Sequence, residues 1–127
     1  MKYMLMFAGS EEYFAAFQKF PEDVQKAALE RVNAWRGEHE ATGRLLESRR
    51  LLGPSTATTV RLERRQDGRI NGKALITDGP FIDAKERIGG YAIIDVADLD
   101  EAIAMAKTWP AGGTIEIRPV MPDMREG

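Results

Sequence analysis

A small set of side chains in this chain could carry acid–base chemistry. His39 is the single histidine, and an imidazole with an ordinary pKa of about 6.5 suits a general base at neutral pH. Asp78 and Glu86 are carboxylates that could act as bases or orient a ligand. Each also has a structural interpretation: His39 as a packed helix residue, Asp78 as the acceptor of an Asx-turn, and Glu86 as half of a solvated ion pair.

A second set could hold a ligand. Lys85 offers a cation for an anionic group, and Arg49 offers a planar guanidinium that suits a carboxylate or a phosphate. The turn residues Asp78-Gly79-Pro80 are expected to be rigid and to fix Phe81 beside the site. Tyr91 could line a pocket between subunits. The structural alternatives are a solvated ion pair for Lys85, an exposed Arg49 and interface packing for Tyr91.

Composition excludes several function classes. The chain has no cysteine, which removes disulfides, thiolate metal sites and a cysteine nucleophile. A single histidine leaves only carboxylates for a metal, and Asp98-Asp100-Glu101 fits helix capping better, so we predict neither metal nor cofactor. The 18 basic and 20 acidic residues are interspersed, and this pattern does not indicate direct nucleic-acid binding. Phosphate-loop and dinucleotide-binding glycine patterns are also missing.

The length of 127 residues fits one domain. We assign residues 1–121 to this domain and residues 122–127 to a C-terminal tail. No apolar stretch approaches the roughly 20 residues that span a bilayer, and the N-terminus lacks the basic start and cleavage site of a signal peptide. We therefore predict a cytoplasmic protein without a membrane partner.

Hydrophobic periodicity predicts the elements that must position these side chains. Tyr3 to Ala8 is apolar on both faces, which is typical of a central strand. Pro21 to Gly43 is predicted as the main helix, with an apolar stripe that also contains His39. The other predicted elements are a short helix after Ser10, strands at 45–52, 58–65, 69–77 and 90–96, a helix that Asp98 caps, and a final strand around Ile115 and Ile117.

This order, β-α-β followed by a hairpin and a second β-α-β, predicts an α+β fold. Its antiparallel sheet carries two helices on one face, and the hairpin is an insertion. Two helices cover only one face of the sheet, while Tyr3 or Met4, together with Tyr91 and Ile93, makes the other face partly apolar. We therefore predict a homodimer that forms through this second face.

One segment carries a specific resemblance. Asp78-Gly79-Pro80-Phe81, Lys85-Glu86 and Gly89-Gly90-Tyr91 resemble the signature of the DGPF proteins, which are grouped with the YCII-related domain family. The likeness extends to four further segments, at residues 1–5, 55–61, 98–102 and 115–120.

The resemblance implies a ferredoxin-like fold, a dimer of the α/β-barrel type, a mostly unassigned activity and a functional link to sigma-70-type transcription factors. In the wider family, a histidine in the first helix and an aspartate after the second are associated with activity. These positions fall here near Val32 or Asn33 and near Thr108, so the role does not transfer to His39.

Three hypotheses remain open. The first is a small-molecule-binding or regulatory module associated with sigma-factor transcription systems. The second is a cofactor-free enzyme that uses acid–base residues in a dimer cleft on a small organic substrate. The third is an interaction domain without a pocket.

Overall fold

The computed structural model of the chain describes residues 1–80 and 86–126. It contains two compact units, each described by itself: one comprises Met1–Leu51 with the described part of residues 85–127, and the other comprises the described part of Leu52–Ala84. In chain order the elements are β1 (Lys2–Ser10), α1 (Glu11–Gln18), α2 (Glu22–Ala41), β2 (Leu45–Arg50), β3 (Thr58–Arg64), β4 (Ile70–Asp78), β5 (Glu86–Asp95), α3 (Leu99–Lys107) and β6 (Thr114–Pro119).

The first unit is built on a four-stranded antiparallel sheet with the strand order β2-β5-β1-β6. Each of the two β-α-β segments thus leaves a gap that a strand of the other segment fills. This arrangement is consistent with the predicted ferredoxin-like α+β fold. The central strands β1 and β5 are the most apolar in sequence, because neighbours cover them on both edges and helices cover one face.

The core lies between the sheet and the helices α2 and α3. Leu5 and Ile94 of the central strands are fully buried, and Ala102 of α3 is completely inaccessible as well. Trp35 contributes the largest side chain from α2, at 4% exposure. Tyr3 also belongs to this core, so of the two residues considered for the second face of the sheet, Met4 is the one that lies there.

Local sequence signals set the helix ends. The Asp98 carboxylate accepts from the backbone N–H of Glu101 at 2.9 Å, and the Glu101 carboxylate accepts from the N–H of Ala97 at 3.3 Å, which together cap α3. Gly43, at φ +77°, follows the C-terminus of α2. Pro21 occupies the N-cap of α2 and not its first helical position.

The apolar stripe of α2 divides into two halves. The buried residues of this helix are Trp35 and His39, both in its C-terminal half. Val24 is 43% exposed, and Ala28 and Val32 are only partly buried. The N-terminal half of the stripe thus does not enter the core.

The second unit is a two-stranded antiparallel sheet of β3 and β4. Gly68, at φ +88°, allows the tight turn between the strands, and the Asp67 carboxylate accepts from the Arg69 N–H at 3.0 Å. Val60 and Ile76 are cross-strand partners in this sheet, and both are exposed by more than half.

Within the described ranges, no helix has the length and apolar character that crossing a membrane requires. The same residues contain no cluster of three or more histidine or carboxylate side chains that could hold a metal ion.

Candidate functional site

The first unit contains a cleft of about 590 Å³. Its walls are α1, α2 as far as Arg36, the loop after α3 and the adjoining parts of β1, β2 and β5. Val24, Ala28 and Val32 line it, which explains where the N-terminal half of the α2 stripe is directed. A volume of this size is in the range of sites that hold small organic molecules.

An aromatic cluster closes one end of the cleft. Phe7 and Trp109 both line the cleft and stack with their ring centroids 4.2 Å apart. Trp35 packs edge-on against Trp109 at 5.0 Å and donates its Nε1–H to the Thr108 hydroxyl at 2.8 Å. Because the buried indole N–H has a partner, this end of the cleft is fixed in shape.

Helix α1 forms another wall of the cleft. Ser10 caps it by accepting from the Tyr13 N–H at 2.9 Å, and the Tyr13 hydroxyl donates to the carbonyl of Ala111. The ring of Phe14 rests on two glycines, since an added Cβ would come within 3.2 Å of its Cζ at Gly9 and within 3.0 Å at Gly89. These glycines permit the close approach of α1 to the sheet.

The described charged residues that line the cleft are all of one sign. Five of the described lining residues are cationic and none is acidic, although acidic residues outnumber basic ones in the chain as a whole. The cations lie along one helix and the neighbouring edge strand: Lys26, Arg31, Arg36, Arg49 and Arg50.

Two of these cations meet at one carbonyl oxygen. Arg36 Nη2 donates to the Ser48 carbonyl at 3.3 Å, and Arg49 Nη1 donates to the same oxygen at 2.9 Å. Ser48 lies on β2, an edge strand, so its carbonyl can accept from side chains. The Nε–H of Arg36 is buried and has no hydrogen-bond partner among the described residues.

His39 does not line the cleft. It is 4% exposed, and its ring packs against Trp35 with the centroids 4.8 Å apart. Its Nδ1 lies 3.3 Å from Nη2 of Arg44. A guanidinium only donates, so Nδ1 is the acceptor and the ring is neutral. Burial lowers the pKa of His39, the Arg44 charge lowers it further, and Glu38 opposes the shift.

Asp78, Phe81 and Lys85 belong to the signature segment. Phe81 and Lys85 lie outside the described residues. Asp78 is the last residue of β4 in the second unit, and its side chain is exposed. The predicted Asx-turn is not formed, because the residue two positions on is Pro80, which has no N–H. The turn instead uses Gly79, at φ +97°, whose N–H donates to the Ala57 carbonyl at 2.7 Å.

Glu86 and Tyr91 lie on β5, where they contact different neighbours. Glu86 is exposed and accepts from the Thr114 hydroxyl at 2.9 Å. Tyr91 is paired across the strands with Arg49 and donates to the Glu47 carboxylate at 3.0 Å. This hydrogen bond to Glu47 raises the pKa of Tyr91.

Of the predicted site residues that are described, the structure brings Arg49 and Tyr91 together, and only Arg49 lines the cleft. His39 contacts Arg44, whereas Glu86 contacts Thr114. Arg36 was not among the predicted site residues, because its place in the cleft depends on a contact with the Ser48 carbonyl of a different element. The sequence did contain a signal for the cleft: α1 is rich in aromatic residues, and the apolar stripe of α2 is longer than the sheet can cover.

The sequence is similar to known proteins over almost its whole length. Residues 1–123 match the YCII-related domain family. The chain is also similar to an uncharacterized protein of Rhizobium meliloti (strain 1021), with 27% identity over 124 residues that cover 94% of this chain and 92% of that protein.

Proposed function

The chain belongs to the YCII-related domain family, and on that premise we propose that it is a small-molecule-binding module whose ligand occupies the cleft of the first unit. The observation that carries the proposal is the cleft itself, about 590 Å³ in volume, with aromatic and cationic side chains in its described lining. A concave apolar site with a few convergent polar groups is the usual form of a ligand site.

Binding is favoured over acid–base catalysis by the side chains in the cleft. Its described lining contains no aspartate, glutamate or histidine that could move a proton near neutral pH. His39 is held in the core by Trp35 and Arg44. The enzyme hypothesis, with Asp78, His39 and Glu86 as acid–base residues, stays a prediction. It requires that turnover of a substrate falls in the variants Asp78→Asn and His39→Ala.

A cleft-filling substitution tests the binding function. Ala28 lines the middle of the α2 wall, whereas Ala34 on the same helix is exposed and outside the cleft. We expect the neutral aromatic probe naphthalene-2-carboxamide to bind the unmodified protein in calorimetric titrations. Ala28→Trp is expected to abolish this binding, and Ala34→Trp, the matched control, is expected to leave it unchanged. Equal binding by both variants would place the probe elsewhere and refute the proposal.

We also propose that two copies associate through the second face of the sheet, as in a dimeric α/β barrel. Its middle columns are apolar and partly buried, and its two edges carry charges of opposite sign in each row. A two-fold axis parallel to the strands would place Glu47 of each copy opposite Arg118 of the other. Glu47 and Arg118 belong to the row Glu47-Ile93-Met4-Arg118, whereas Arg49, at the edge of the next row, lines the cleft.

Light scattering during size-exclusion chromatography tests this dimer. The unmodified chain is expected to elute with twice the monomer mass of 14.2 kDa. Ile93→Lys introduces a charge in the middle of the face and is expected to give monomers. Leu99→Lys, at an exposed position of α3, is the control and should remain dimeric. A monomeric unmodified protein at micromolar concentration would rule the dimer out.

From the signature segment we further propose membership of the DGPF subgroup, with the β3–β4 hairpin as an insertion, and a cytoplasmic role linked to a sigma-factor transcription system. The support is the resemblance of residues 78–81, 85–86 and 89–91. The test is the gene neighbourhood followed by a two-hybrid assay against the sigma factor encoded there. A neighbourhood without such a gene, or a negative assay, would count against the link.

A further inference from the structure

Resting on the proposed binding function, we propose that the cleft selects a ligand with a carboxylate on an apolar, aromatic body, and that Arg36 and Arg49 hold the carboxylate. The proposal follows from the sign of the charges at the cleft, from the incomplete hydrogen bonding of two guanidinium groups and from the aromatic character of the walls.

The charge distribution favours an anion. Among the residues that the structure describes, five cations and no acid line the cleft, in a chain whose net charge is −2. Cations that gather in a concave site with apolar walls focus the electrostatic potential into it, because the walls screen charge poorly. A neutral ligand would leave the mutual repulsion of these cations in place, and an anionic ligand would relieve it.

Arg36 and Arg49 have donors to spare. A guanidinium carries five N–H groups, and within the described part of the chain each of these residues makes one hydrogen bond, to the shared Ser48 carbonyl. Neither forms an ion pair with a described carboxylate. Both guanidinium groups therefore keep N–H donors for a second acceptor, and a carboxylate has the planar geometry that a guanidinium fork matches.

The buried Nε–H of Arg36 strengthens this inference. Buried polar groups in proteins nearly always have a partner, and this one has none among the described residues. The 3.3 Å bond from Nη2 to Ser48 is long for a bond to a charged donor. Arg36 is therefore weakly held, and a small rotation that releases Ser48 presents its Nε and Nη2 edge to a carboxylate.

The rest of the cleft defines the body that carries the carboxylate. Phe14 and Phe17 of α1, the apolar residues of α2 and the Phe7–Trp109 stack all line the cleft. Flat rings can stack on these walls, whereas a strongly hydrated body such as a sugar would lose its water without replacement hydrogen bonds. The ligand class is thus an aromatic or similarly apolar carboxylic acid.

An isosteric probe pair tests the carboxylate directly. Naphthalene-2-carboxylate and naphthalene-2-carboxamide share one shape and differ in charge. In calorimetric titrations of the full chain we expect the carboxylate to bind about tenfold tighter or more than the amide. Added salt is expected to weaken carboxylate binding alone. Arg36→Met and Arg49→Met are each expected to reduce carboxylate affinity towards that of the amide. The control Arg125→Met, which makes the same charge change near the C-terminus, should have no effect.

The outcomes separate the two proposals. Equal affinity for both probes, with both lost in Ala28→Trp, would overturn the carboxylate inference and leave the binding function intact. A carboxylate preference that persists in both arginine variants would refute the assignment to Arg36 and Arg49. Failure of both probes to bind would count against the binding function and this inference together. Unchanged amide affinity in Arg36→Met shows that this variant is folded.

Discussion

The buried histidine makes a sharp prediction about the pH dependence of stability. His39 is neutral in the fold because it accepts a hydrogen bond from Arg44, which cannot itself accept one. Protonation would remove this bond and place a second cation beside Arg44 inside the core. In the unfolded chain the same imidazole titrates freely, with a pKa of about 6.5.

The sign of the effect follows from linkage. The folded state has the lowered pKa, so the unfolded state takes up the proton first as the pH falls. Stability contributed by the neutral ring is fully present above the unfolded pKa and is lost as the pH falls from there towards the folded pKa. If the folded ring stays neutral throughout, the loss between pH 7.5 and 5.5 is about 1.4 kcal/mol, which is a ceiling.

The assay is urea denaturation at a series of pH values between 7.5 and 5.5, where carboxylates remain largely ionised. Because His39 is the only histidine, the control is a single substitution, His39→Gln, which removes the titrating ring. We expect the unmodified protein to lose stability across this range, by no more than that ceiling, and the variant to lose much less. Comparing the slopes of the two proteins cancels any difference in their absolute stability.

Two results would refute this reasoning. Identical pH slopes for the unmodified protein and His39→Gln would mean that the folded and unfolded pKa values of His39 coincide. Greater stability of the unmodified protein at pH 5.5 than at pH 7.5, absent from the variant, would mean that the folded ring is charged and has an anionic partner.

The remaining predictions concern local backbone chemistry and are measured by urea denaturation. Gly113→Ala is expected to destabilise the fold by more than about 1 kcal/mol, because Gly113 has φ +84° and an added Cβ would lie 2.7 Å from the Ala8 carbonyl oxygen. Gly37→Ala, in α2 with nothing within 4 Å of the added Cβ, should instead stabilise by about 0.5–1 kcal/mol. Asp98→Ala is expected to cost about 1 kcal/mol through loss of the α3 cap. Asp100 makes no capping bond among the described residues, so Asp100→Ala is expected to cost less stability than Asp98→Ala. Equal losses of stability in the two variants would contradict the capping argument.

Much of the fold follows from local patterns. The apolar strand at Tyr3, the Asp98 cap and the helix stop at Gly43 were all predicted, because each depends on residues within one turn or one strand. The α+β class followed from the order of these elements. The second face of the sheet could be assigned only as Tyr3 or Met4, since alternation defines two faces without saying which one meets the helices.

The cleft depended on contacts between residues distant in sequence. Arg36 lies on α2 and contacts the Ser48 carbonyl on β2, and Phe14 of α1 rests on Gly89 of β5. The helical period placed Val24 and Trp35 in one stripe, but only the packed structure shows that one lines the cleft and the other enters the core.

The sequence by itself determined the elements, their ends and the chemical types available: one histidine, no cysteine and many arginines. Periodicity and capping are short-range effects, which a single chain displays directly. Tertiary structure alone decided that His39 is a buried, neutral acceptor and that Arg36 and Arg49 share the Ser48 carbonyl. Burial and hydrogen-bond partners depend on which elements pack together, and that choice sets whether a polar side chain is structural or available to a ligand.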